Sequence, residues 1–271
     1  MQKKTKPILK TPVSYYGGQQ KILKDIMPLI PAHHLYNEPF AGGAALLFAK
    51  EPVEINVIND LNGEIINFYR TAVSDFDALS KEIKKTLHSR EQVVVAKFIY
   101  EHPDYFSNVQ RAWAVWAMSK LCFMSNFANS FSFSRKKNSL ATRIESGKNI
   151  FTKELRTLLE KCTIEHDDAF NVIRRYDTPD TFHFIDPPFV NFSMGHYNGM
   201  FSETHLNQLL ELMTFLQGKF MLTMYPDETI HRYARANGWT IHKIEKNISV
   251  GKAIRRKQEV WMVINYVLPE K

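Results

Sequence analysis

Cysteine is nearly absent from this chain of 271 residues: Cys122 and Cys162 are the two, and their spacing suits no metal site. That excludes a disulfide framework and fits buried thiols in a reducing compartment. Long apolar runs are missing as well. No stretch approaches the length of a membrane span, and Met1 to Lys10 carries lysines without the apolar core of a signal sequence, so a soluble cytoplasmic chain is expected. There is no Gly-Lys-Ser/Thr step, which excludes a phosphate-gripping P-loop, and no complete Gly-x-Gly-x-x-Gly. His33, His34 and His183 have no Cys or Glu partners at zinc spacing, so no metal is expected. Internal repeats and low-complexity tracts are absent too. What is present is a chain 44% hydrophobic, enough for a real core, with a formal net charge of +7. A basic excess of that size permits nucleic-acid binding without requiring it.

The pattern along the chain is α/β at both ends. Gln20–Ile30 reads as a short helix stopped near Pro31, Leu35–Glu38 as a strand, 40–43 as a glycine turn, 44–50 as a helix, 54–58 as a strand and 61–73 as a helix. That rhythm predicts a parallel, doubly wound sheet. From Ser74 to Ile150 the spacing is mostly helical, over 76–87, 91–100 and 109–123, and a polar loop is expected from Ser125 to Lys148. The α/β rhythm resumes at Lys153. Strands are expected at 163–166, 181–185 and 220–223, with helices at 153–161, 169–176, 203–216 and 229–237. Two last strands, 240–248 and 259–267, flank the basic segment Gly251–Lys257 and read as an antiparallel pair. The expected organisation is a sheet domain from 1–73 and 151–271, with an inserted subdomain at 74–150. Trp113, Trp116, Leu121 and Phe123 are expected to form the core of that insertion.

Three segments carry chemistry. Phe40-Ala41-Gly42-Gly43 lies between a strand and a helix, where glycines admit a ligand close to the backbone. Asp60 ends the next strand, 17 positions after Gly43, near the offset at which an acid holds ribose hydroxyls in nucleotide-binding α/β folds. The other reading of Asp60 is a helix N-cap. Asp168 follows a later strand and offers the same choice, between an N-cap and an acceptor for an adenine amino group. Asp186-Pro187-Pro188-Phe189 ends an apolar strand. Asp186 and the Pro187 carbonyl can each take one hydrogen of an aromatic NH2, favouring a more nucleophilic, pyramidal nitrogen. The prolines remove competing N–H donors, and Phe189 offers a face for stacking. The alternative is an ordinary Pro-Pro turn. Arg135, Lys136, Lys137, Asn138 and Arg143, and then Lys252, Arg255 and Arg256, form two basic stretches suited to phosphate contacts or to solvated surface. The helix face of Lys81, Lys84 and Lys85 is assigned to solvent.

In that order the segments resemble the Dam-type adenine-specific DNA methyltransferases (D12 class, alpha group). Tyr15-Tyr16-Gly17-Gly18-Gln19 resembles the family's aromatic-x-Gly-Gly-Lys motif, and Glu38 to Gly43 its cofactor loop. Asn59-Asp60 resembles the ribose-binding acid, Asp167-Asp168-Ala169 the adenine-contacting segment, and Asp186 to Phe189 the Asp-Pro-Pro-Tyr motif. Tyr197 and His205 follow at similar offsets; a helix cap is expected of His205. Arg256-Lys257-Gln258-Glu259 with Asn265-Tyr266 resembles the closing hairpin. The resemblance implies a Rossmann-like methyltransferase sheet that uses S-adenosyl-L-methionine, bound by Tyr15, Gln19, Phe40, Gly42, Gly43, Asp60, Asp168 and Asp186. It implies methylation of adenine in double-stranded DNA by base flipping, a target-recognising insertion, a monomer or weak dimer, and relatives paired with restriction endonucleases. Two positions depart from it. Phe189 replaces the usual tyrosine and Gln19 the usual lysine, so a stacking face is kept while a hydroxyl and a charge are lost. Those departures leave open a non-catalytic DNA-binding scaffold, beside methylation of another amine such as cytosine, an RNA base or a glutamine side chain.

Overall fold

The computed structural model describes residues 9–14, 20, 22–128, 130–134, 139–189, 201–250 and 254–268. Among these, seven strands form one sheet: β1 (Leu35–Glu38), β2 (Ile55–Asn59), β3 (Cys162–Glu165), β4 (Thr181–Ile185), β5 (Lys219–Met224), β6 (Thr240–Val250) and β7 (Ile254–Ile264). The spatial order is β3-β2-β1-β4-β5-β7-β6. β1 pairs in parallel with β2 and β4, β2 with β3, and β4 with β5. β7 runs antiparallel to both β5 and β6. β1 and β4, at the centre, are buried at every residue, as parallel strands covered on both faces must be.

Helices cover both faces. They are α1 (Leu23–Ile26), α2 (Ala45–Ala49), α3 (Gly63–Ser74), α4 (Phe76–Lys85), α5 (Arg90–Glu101), α6 (Asn108–Leu121), α7 (Ser139–Ile150), α8 (Lys153–Leu159), α9 (Ala169–Arg175), α10 (Glu203–Thr214) and α11 (Glu228–Asn237). Strand alternation assigns the faces. Met221, Val260, Met262 and Ile264 join one apolar cluster with Tyr36, Phe182, Phe184 and residues of α2 to α6. Phe220, Leu222, Met224, Trp261 and Val263 join another, with α10 and α11. Local chemistry fixes helix ends. Ser107 and Gln110 form a capping box on α6, and Gly238 closes α11 at φ +68°. None of the described helices is long and apolar enough to cross a membrane.

The chain leaves β1 on one side, toward β2, and later returns on the other, to β4. The crevice between the C-terminal ends of β1 and β4 is therefore the topological switch point, where ligands of open α/β sheets bind. Helices α4 to α7 interrupt the sheet order between α3 and α8. The two ends of this segment meet: the Phe76 and Phe151 rings stack at 4.9 Å, with 8° between planes.

Three expectations change. The loop expected over 125–148 contains α7. Its Ser, Asn and Gly content is a poor helix signal, but burial of Ile144 and close packing of Gly147 on α6 hold it in place. The helix expected over 20–30 shortens to α1 plus a 3-10 turn at Met27–Leu29, because Pro28 cannot extend an α ladder. β7 begins at Ile254 rather than Glu259, so Arg255 and Arg256 pair with Ser249 and Ile248 in the ladder. Main-chain bonds sustain this hairpin regardless of side-chain charge, and β6 is a sheet edge, where charge is common.

Candidate active site

The turn after β1 is drawn tight by its neighbours. Ala41 N donates to Asn59 O at 2.8 Å, and the Tyr69 hydroxyl donates to Gly42 O at 2.7 Å. Gly42 takes φ +47° and Ala44 φ +46°, so the chain passes twice through the left-handed region. Glycine bears this without cost, whereas Ala44 is strained. Asp60 then closes the turn. Its carboxylate accepts from Gly42 N and from Asn62 N, each at 2.8 Å. Burial pushes the Asp60 carboxyl up, and those two N–H groups oppose the shift. Each oxygen keeps a second lone pair, so the residue can still accept from a ribose hydroxyl. The N-cap of α3 is Asn62, which accepts from Glu64 N, so capping is not the task of Asp60.

Asn59, named from sequence only as the neighbour of Asp60, joins three loops. Its side-chain N–H groups donate to Pro39 O at 2.9 Å and Asp167 O at 3.0 Å, and its oxygen accepts from Asp167 N at 2.9 Å. Asp168 caps α9, accepting from Phe170 N at 2.9 Å. It also lines an open groove of about 770 Å³ with Phe170, Arg174, His205 and Leu212. His205 sits in the capping box of α10: its N–H donates to Ser202 Oγ, and its Nδ1 accepts from Ser202 N at 3.1 Å.

Asp186 leaves β4 at the switch point. The Thr223 hydroxyl, near the end of adjacent β5, donates to Asp186 Oδ1 in a very short bond. Glu38, ending β1, is 2% exposed and accepts from the Tyr36 hydroxyl at 2.8 Å. Burial, reinforced by the nearby Asp186 charge, pushes its carboxyl up to about 8, against the opposing Tyr36 bond. Pro187 is buried and Phe189 half-buried. The expected open face of Phe189 is in part taken by Tyr225, whose ring lies 4.1 Å away at 34°. Phe40 meets Phe201 edge-on at 6.1 Å, closing the apolar side of the crevice.

The structure thus brings Phe40, Gly42, Gly43, Asp60, Asp168 and Asp186 to one edge of the sheet. Tyr15, Gln19, Arg135, Lys136, Lys137, Asn138, Tyr197 and Lys252 lie outside the described residues. Arg143 has an internal role: it donates to Ser119 O and Ser125 Oγ, which ties α7 to the end of α6. Both bonds come from one guanidinium nitrogen, Nη2.

A mainly parallel sheet closed by an antiparallel final hairpin, with a glycine turn after its first strand and an Asp-Pro-Pro step at the switch point, is the architecture of a Rossmann-like methyltransferase. The chain belongs to the D12 class N6 adenine-specific DNA methyltransferase family, whose sequence profile matches residues 15–250. It is 26% identical over 209 residues to the type II methyltransferase M.MjaIII of Methanocaldococcus jannaschii, covering 68% of this chain and 69% of that one. It is 24% identical over 188 residues to the type II methyltransferase M.CviBI of Paramecium bursaria Chlorella virus NC1A, with the same coverage. A third relative, the type II methyltransferase M1.LlaDCHI of Lactococcus lactis subsp. cremoris, is 37% identical over 89 residues, and there the chain spans 30% of the relative's length.

Proposed function

We propose that this chain transfers the methyl group of S-adenosyl-L-methionine to the exocyclic amino nitrogen of adenine in double-stranded DNA, acting on a base turned out of the helix. The observation that carries the reading is the placement of Asp186: a carboxylate at the switch point that accepts the Thr223 hydroxyl through one oxygen, near the buried Glu38. The other Asp186 oxygen and the Pro187 carbonyl are the acceptors for the two amine hydrogens. Drawing on both N–H bonds localises the nitrogen lone pair. Bound cofactor supplies an electrophilic methyl on a sulfonium. The amine nitrogen would form its N–C bond as the donor's S–C bond breaks, the sulfur leaving as the neutral thioether S-adenosyl-L-homocysteine, and one N–H proton would pass by way of Asp186 to solvent. In-line placement supplies much of the rate.

The donor set fits the cofactor. Asp60 retains acceptor capacity for a ribose, the Gly42–Gly43 turn brings bare backbone into the crevice, and Asp168 stands at the neighbouring strand end. A target amine inside a duplex is out of reach, which is why eversion belongs to the reading. Arg135, Lys136, Lys137, Asn138, Lys252, Arg255 and Arg256 are the proposed DNA contacts, and residues 74–150 the target reader. The test is methyl transfer from labelled cofactor to duplex DNA, followed by nucleoside analysis. N6-methyladenine is expected. Label in cytosine or RNA, or DNA binding without transfer, would overturn the proposal.

A further inference from the structure

Tyr225 enters no step of the reaction above, yet it touches the residue proposed to carry the base. Its ring lies 4.1 Å from that of Phe189, with 34° between planes. At that distance two rings overlap face to face rather than meet at their edges. One face of Phe189 is therefore occupied and the other is left for a ligand, and Phe189 keeps part of its surface exposed. Pro187 and Pro188 restrict the backbone that leads to this ring but leave its χ1 and χ2 unset. Phenylalanine bears no hydroxyl, so no hydrogen bond of its own can lock the ring plane. A neighbouring face is what can.

Tyr225 stands on fixed ground. It follows β5, whose last residue, Met224, pairs with Trp261. Pro226 disfavours helical backbone at Tyr225. Asp227 then caps α11, accepting from Thr229 N at 2.8 Å and from Ile230 N at 3.2 Å. The short link from Tyr225 to Asp227 is thus strung between a paired strand and a capped helix. The Tyr225 side chain packs on the cluster that holds Tyr36 and Phe182, and Phe189 on the cluster beneath α10 and α11. Two positions before Tyr225, Thr223 donates to Asp186. The end of β5 therefore holds both ends of the Asp186–Phe189 segment, the carboxylate by a hydroxyl and the ring by a ring. We propose that Tyr225 is a positioning residue of the target pocket: its ring backs Phe189 and sets the plane on which the everted adenine stacks. This rests on the methyl-transfer reading above, in which Phe189 carries that base.

The experiment is a double-mutant cycle on single-turnover transfer from labelled S-adenosyl-L-methionine to unmethylated duplex DNA. It compares the full chain with Tyr225→Leu, Phe189→Leu and the double variant. Tyr225→Leu should slow transfer about three- to tenfold, the range of an aromatic contact, with cofactor affinity by calorimetry held within about twofold. In the Phe189→Leu background the same change should slow transfer by less than about twofold, because the ring through which Tyr225 acts is already gone. Tyr225→Phe, which keeps the ring, should restore the wild-type rate. Tyr225→Met serves should the leucine variant not fold. No loss in Tyr225→Leu overturns the proposal. So do losses that add across the cycle, since a residue that only supports the fold slows both backgrounds alike. An equal loss in Tyr225→Phe assigns the role to the hydroxyl and overturns it too. Faster transfer in Tyr225→Leu, which would make Tyr225 a competitor for the base's place, does the same, as does a fall in cofactor affinity that accounts for the rate. Wild type that transfers no methyl to adenine refutes the underlying reading itself, a distinct outcome that takes this one with it.

Discussion

Thr223→Val isolates the bond that aims Asp186. Thr223 is fully buried, and valine has nearly its shape, so the substitution removes a hydroxyl and little packing. The hydroxyl donates to a carboxylate oxygen. Such charge-assisted bonds contribute about 1.5–3 kcal/mol, and an unaimed Asp186 forfeits that stabilisation when charge develops on the amine. If the whole term belongs to the transition state, single-turnover transfer slows about 10- to 150-fold. KM for the cofactor should stay within about twofold, because Asp60 is held by Gly42 N and Asn62 N. Thr223→Ser should restore most of the rate. A valine variant with wild-type single-turnover rate and unchanged melting temperature would refute the positioning role. Equal losses for valine and serine would reduce Thr223 to a packing residue.

Asp186→Ala should lower transfer by at least about a hundredfold while the melting temperature holds, checked with labelled methyl transfer and thermal denaturation. Gly218→Ala should destabilise by about 1–3 kcal/mol in urea denaturation, since a Cβ would meet Thr178 O at 2.9 Å and Thr181 O at 3.0 Å. Glu38 gives a pH dependence. Its folded carboxyl, near 8 against an ordinary 4.5, holds its proton more tightly than the unfolded chain does. Stability should therefore be fullest below pH 4.5 for this group and fall by a few kcal/mol, in order of magnitude, as pH rises through 8. Glu38→Gln should flatten that part of the pH–stability curve in denaturant titrations, and an unchanged slope would contradict it.

Local pattern was enough where burial is uniform. β1 and β4 match their sequence-read limits because four or five consecutive buried residues leave one periodicity to read. α7 was missed because nothing in Ser139–Ile150 announces a helix; its reason for folding is the surface of α6. The sequence marked Gly42, Asp60 and Asp186 as candidates, and they follow the C-terminal ends of neighbouring parallel strands. The bonds that hold these loops come from far along the chain and leave no local pattern. Asn59 reaches Asp167 O across 108 positions and Thr223 reaches Asp186 across 37.

The paired rings of Phe76 and Phe151 put the two ends of the α4–α7 segment within touching distance. A shorter or longer segment could be spliced there without stretching the backbone on either side. Yet Trp116 and its neighbours on α6 belong to the same apolar mass as Phe68 and Tyr69 of α3. Any graft, natural or engineered, must bring its own greasy underside to lay over that helix. Swapping this region is thus geometrically easy and chemically constrained, and a bare deletion would leave a sticky sheet prone to clumping.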